Sequence, residues 1–115
     1  MIEMLQDLNK VAGVKGCMVV TPDGIVVNSA LGSDLDQEAV AAVSSSLISA
    51  ARRAMDKLGH KMFKRFVQVS SWGRMVFVDI EIAYLVVITS QNIKLDVIVM
   101  EIDSTARRIR TRRAD

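Results

Sequence analysis

The sequence predicts a mixed α/β (α+β) domain spanning residues 1–115. It is read as a three-layer sandwich with a five-stranded antiparallel sheet in the order 2-1-5-4-3, a central helix on one face and the terminal helices on the other. Three observations carry this expectation. A helix-period run occupies the middle of the chain, between β-rich segments on either side. Three of the five strand segments are apolar on both alternating faces, which places them inside a helix-covered sheet. The chain has 115 residues, 50% of them hydrophobic, which suffices for one core without metal or disulfide staples.

The chain opens with a short helix in which Ile2, Leu5, Leu8 and Ala12 share a face, closed by Gly13. GVKGCMVVTPDGIVVNSAL then reads as a hairpin around Thr21-Pro22-Asp23-Gly24. Proline presets φ there, aspartate bonds the backbone ahead and glycine accepts positive φ. Residues 36–58 form the central helix. Asp36 is its N-cap, Leu35 staples to Val40, and Gly59 closes it, with His60, Lys61 and Lys64 adding positive charge at and beyond the end. A second hairpin joins Phe66–Ser70 to Arg74–Ile80 around Ser71-Trp72-Gly73, and a fifth strand runs from Tyr84 to Thr89. Asn92 caps a closing helix whose apolar face is Leu95, Ile98, Val99, Ile102, Ala106 and Ile109.

Strands one, four and five are apolar on both faces, whereas strand three alternates and strand two weakens into Asn28 and Ser29. The hairpin ties and these burial patterns leave 2-1-5-4-3 as the order that satisfies both. Strand three is then a free edge, which folded proteins seldom leave bare.

On the central helix, Val40, Val43, Leu47, Ala51, Ala54 and Leu58 are read as the core face. A second strip of small and apolar residues, Ala41, Ser44, Ser45, Ile48 and Met55, is offset from it. The double strip implies two partners, the chain's own sheet and a second copy. The expected dimer interface therefore joins Ala41, Ser44, Ile48 and Met55 to Phe66, Val67, Gln68 and Val69 of the edge strand. The outward platform made by two such helices would expose Glu38, Ser45, Ser49, Arg52, Arg53 and Asp56 to a partner.

GVKGCMVVTPDGIVV, preceded by a helix with Leu5 and Leu8, resembles the opening of the roadblock/dynein light-chain family. The alanine-rich helix, the two-strand run and the closing DVIVMEIDSTARRI follow that family's plan in order and spacing, though family members often carry proline where Ala12 stands. The resemblance implies a roadblock/profilin-like fold and a homodimeric or heterodimeric scaffold with one continuous sheet. It also implies work as a partner or regulator of a small Ras-like GTPase, or as an adaptor on a motor or signalling complex. A small-molecule sensor module is the alternative from another class, disfavoured by the uniformly apolar strands.

A search for chemistry points the same way. The single cysteine, Cys17, lies in an apolar run and excludes an internal disulfide. The single histidine, His60, sits in a basic loop, no GxxxxGK[ST] or GxGxxG is present, and no cluster has metal-ligand spacing. Asp34 and Asp36 stand where capping carboxylates are expected. No catalytic residue, cofactor or metal is therefore assigned. Trp72 either folds over an apolar surface or serves as an exposed contact. Arg107, Arg108, Arg110, Arg112 and Arg113 crowd a C-terminal end expected to be solvated and partly frayed. Nucleic-acid binding needs stacking aromatics, which make up 4% of the chain with none near this end, so an acidic protein partner suits it better. With no signal-peptide run and no span of about 20 apolar residues, the expected location is the cytoplasm, with no membrane insertion.

Overall fold

A computed structural model of the chain describes residues 1–59 and 62–113, so His60 and Lys61 lie outside the described residues. Eight elements follow one another: α1 Ile2–Leu8, β1 Val14–Val20, β2 Val26–Leu31, α2 Gln37–Lys57, β3 Arg65–Val69, β4 Arg74–Asp79, β5 Tyr84–Thr89 and α3 Leu95–Arg113. The strands form one antiparallel sheet in the order β2-β1-β5-β4-β3, as the sequence predicts.

The alternation of side chains across this sheet creates two cores. Cys17, Val19, Val76, Val78, Leu85 and Val87 point to one face and pack with Leu5 and Leu8 of α1 and Ile98, Ile102, Ala106 and Ile109 of α3. Met18, Val20, Met75, Phe77, Val86 and Ile88 point to the other and pack under α2 through Val40, Ala41 and Ile48. Phe66 stacks on Phe77 with ring centroids 4.4 Å apart, and Phe63 stacks on Tyr84 at 5.5 Å, extending the second core toward the β3 edge.

The turns use the chemistry their residues supply. In the first hairpin Gly24 sits at φ +93°, Thr21 N–H donates to Ile25 O at 2.9 Å, and Thr21 Oγ1 donates to Asp23 Oδ1 at 2.6 Å. The β4–β5 turn has no glycine; Glu81 takes φ +79° itself, and its amide donates to Asp79 Oδ1 at 2.6 Å. In the second hairpin, a Cβ on Gly73 would fall inside the carbonyl oxygen of Thr89, so β4 can pass that close to the end of β5 only with glycine there.

Two element boundaries depart from the sequence reading. Helix α1 stops at Leu8 and leaves Ala12 exposed, because Asn9 is drawn to the sheet: its Nδ2 donates to Ala30 O at 2.6 Å, and its Oδ1 accepts from Cys17 Sγ at 3.3 Å. Helix α3 begins at Leu95, past Asn92, and remains helical to Arg113 where fraying is expected. Arg110 Nη1 donates to Asp79 O at 3.1 Å, tying the last turns to the sheet.

One polar group in the second core is left without a partner. Ser44 is fully buried, and its hydroxyl makes no hydrogen bond among the described residues. An unmade buried bond costs on the order of 1–3 kcal/mol. Ser44→Ala should therefore raise stability by about 1 kcal/mol, seen as a thermal midpoint roughly 4 °C higher. Gly73→Ala should lower stability by roughly 2 kcal/mol, because the added carbon meets backbone that cannot move without opening β5. Thermal and denaturant unfolding check both.

Candidate functional site

The site is built on α2 and the β3 edge. Asp36 fixes the helix start, its carboxylate accepting from Glu38 N–H at 2.9 Å and Ala39 N–H at 3.3 Å. Ser45 ties the helix to the first hairpin. It is half-buried, and its Oγ donates to Pro22 O at 2.8 Å, so that side of α2 leans on the β1–β2 turn. Gly24 leaves room for this contact, since a Cβ there would lie 3.4 Å from Ser45 Cβ.

The helix is rotated from the predicted core face, which keeps Val40 in the core and Leu47 packed against it but turns Val43, Ala54 and Leu58 outward. Ala41, Ser44 and Ile48 are buried against the chain's own sheet, and Met55 is half-buried on the same side. Ala41, Ser44 and Ile48 are core residues and leave no surface for a second copy, which corrects their assignment to a dimer interface, whereas Met55 keeps part of its surface. Val43 is 47% exposed and Leu58 is 68% exposed, with Ala50 and Ala54 exposed beside them and Leu47 and Ala51 half-buried. The small residues win the sheet face because they let the helix axis approach closely, and Ile48 then fills the hollow over the middle of the sheet. An apolar shoulder is left in solvent, on the side of α2 turned away from the β1–β2 turn.

Strand β3 lies on the sheet edge. The bonds Ser70 N–H to Gly73 O, 2.9 Å, and Asp79 N–H to Lys64 O, 3.0 Å, set its hydrogen-bonding phase against β4. Hydrogen-bonded pairs alternate in an antiparallel ladder, so Phe66 and Gln68 bond inward, and the backbone groups of Arg65, Val67 and Val69 point off the edge. Side chains of Phe66 and Gln68 share the α2 face, both half-buried. Val67 is half-buried on the α1/α3 face, and Val69 on that face is 64% exposed. The other edge, β2, carries a register shift at Val19/Val20 that blunts pairing.

Of the residues expected on a partner platform, Glu38, Arg52, Arg53 and Asp56 are exposed, whereas Ser49 is half-buried. Ser45 is not on the platform, because its hydroxyl is held by the hairpin. Ala42 is exposed one turn after Glu38. Arg52 reaches toward Tyr84: burial raises the phenol's pKa, and the guanidinium charge pulls the other way by less.

The Roadblock/LC7 domain family matches residues 2–89, from the start of α1 to the end of β5. The chain belongs to the Roadblock/LC7 family. Two Methanocaldococcus jannaschii relatives, the uncharacterized proteins MJ1340 and MJ0310, are each 33% identical over 107 residues, covering 93% of this chain and 94% of their own length. The fold matches the Roadblock/LC7 domain from Streptomyces avermitilis at TM-score 0.88 and 15% identity, over 100% of this chain and 98% of that one. It also matches Myxococcus xanthus MglB at TM-score 0.86 and 17% identity, over 96% and 91%.

Around this Roadblock/LC7 core, the remaining reactive side chains are held in structural roles. Among the described residues no group of three or more His, Cys, Asp or Glu is placed to hold a metal ion, and no helix is long and apolar enough to cross a membrane. Trp72 is exposed, with Lys15 Nζ 4.8 Å from the ring centroid, which favours the exposed-contact reading. Cys17 is fully buried, its Sγ donating to Leu5 O at 3.3 Å, and burial pushes its thiol from 9.0 up to about 12. The folded state holds this proton more tightly than the unfolded chain. Its contribution to stability is thus complete below pH 9 and lost as pH rises toward 12. Cys17→Ala should flatten part of the fall in stability over that window, measured by denaturant unfolding at a series of pH values. A thiol reagent at pH 8 should label the wild type only on unfolding.

Proposed function

We propose that this Roadblock/LC7 protein is a homodimeric binding scaffold that regulates a small Ras-like GTPase, without chemistry of its own. The observation that carries the reading is the width of the apolar arc on α2. One half is buried on the sheet, and the other half (Val43, Ala54 and Leu58, with Leu47 half-buried beside them) faces solvent on the sheet face shared with Phe66 and Gln68 of the open β3 edge. A two-fold axis beside β3 pairs the edge with its own copy and sets the two apolar shoulders together. Family membership supports the scaffold role, and one structural relative is described as MglB with a tetrameric arrangement.

In that assembly the two helices present Glu38, Ala42, Arg53 and Asp56 twice across a shallow platform. Small residues keep it low enough for a flat partner, and the charges set register more than affinity. A GTPase astride the axis meets both copies, giving one GTPase per dimer. Regulation then works through the partner's own switch segments, ordered by contact with the platform.

Sedimentation should show a dimer at micromolar concentration. Val43→Glu should give a folded monomer, because an unpaired carboxylate in the dry interface costs roughly 3 kcal/mol, about a hundredfold in affinity. Ile48→Glu, by contrast, should unfold the chain, since that side chain is in the core. Ala42→Arg should leave the dimer intact and abolish GTPase binding, read by co-sedimentation with the cognate GTPase. A monomeric wild type contradicts the assembly, and unchanged GTPase binding by Ala42→Arg moves the partner off this face.

A further inference from the structure

On the sheet face opposite α2, α3 and the start of β3 enclose an open cleft of about 560 Å³. Its walls are largely charged, and the charges are not all balanced. Arg65 is neutralised by Asp103, its Nη1 lying 2.8 Å and 2.6 Å from the two carboxylate oxygens. Arg110 Nη1 is held by the carbonyl of Asp79 at 3.1 Å, which fixes the guanidinium without supplying a counter-charge. Asp79 Oδ1 is engaged by the Glu81 amide in the turn. Lys64 and Arg107 line the cleft, are exposed and make no ion pair among the described residues.

The negative end of the α3 dipole accounts for cations in its last turns. It does not account for Lys64, which comes from the segment before β3 and faces the same opening. We propose that this cleft binds an acidic peptide segment, Lys64, Arg107 and Arg110 pairing with successive carboxylates. Arg107 and Arg110 are three residues apart on α3 and so stand about 5–6 Å apart on its surface. That spacing suits two side-chain carboxylates along an extended strand better than one phosphate. The lining comes from one chain and lies on the sheet face opposite α2, so this binding needs no second copy and is separate from the proposed GTPase contact, although Lys64 and Arg65 stand at the β3 edge that the proposed dimer pairs.

The test is fluorescence anisotropy of a labelled ten-residue Asp/Glu peptide titrated with the full chain at low salt. Lys64→Glu and Arg107→Glu should each weaken binding at least tenfold while circular dichroism shows the fold intact. Arg108→Glu makes the same change in net charge outside the cleft and should stay within twofold of wild type. Val43→Glu should bind the peptide as wild type does, whatever its oligomeric state. Equal losses in Arg108→Glu, no binding by the wild type, or displacement of the peptide by inorganic phosphate or an oligonucleotide would each overturn the proposal.

Discussion

Three strands in this chain carry apolar side chains on both faces, and nearly every other feature follows from the need to cover them. Met18 and Val19, Met75 and Val76, and Leu85 and Val86 are neighbours on one strand that point to opposite sides. A sheet so made is stable only between two layers. The short connections keep β1 beside β2 and β4 beside β3 and β5. The helices divide, α1 and α3 on one face and α2 on the other. The less apolar strands are pushed to the edges, where β2 is bulged and β3 is not.

Helix α2 then meets a conflict that one chain cannot resolve. Close approach to the sheet selects Ala41 and Ser44, with Ile48 to fill the remaining space, and even buries a serine hydroxyl without a partner. Val43 and Leu58 of the adjoining shoulder are left over, beside an edge with no strand partner. Free edges and exposed apolar stripes are both liabilities for a protein that stays alone. A single two-fold contact removes both, which is why the two features are read together.

The sheet order was legible in the sequence because burial on both faces leaves a continuous apolar run that periodicity cannot mimic, as in Leu85-Val86-Val87-Ile88. The hairpin at Thr21–Gly24 and the Asp36 cap were legible because their chemistry is local. The rotation of α2 was not. Its apolar arc covers about half the helix, so spacing alone favours the bulky Val43 and Leu47 as core, whereas packing against a sheet favours small side chains in contact. The long-range bond from Ser45 to Pro22 fits that rotation, and no local pattern encodes it. The early stop of α1 has a similar origin in Asn9, whose side chain bonds to Ala30, twenty-one residues away. The arginine end read as frayed because its ties, Arg65 to Asp103 and Arg110 to the Asp79 carbonyl, join segments remote in sequence.

The central claim is that the sheet continues through β3 into a second copy. Amide hydrogen exchange at single-residue resolution tests it most directly, because Arg65, Val67 and Val69 have N–H groups that the chain's own β4 cannot protect. At concentrations well above dimer dissociation these three amides should exchange slowly, and they should become fast in Val43→Glu while Phe66 and Gln68 stay protected in both. Fast exchange of Arg65, Val67 and Val69 at every concentration, with the inward amides protected, would contradict a continuous sheet.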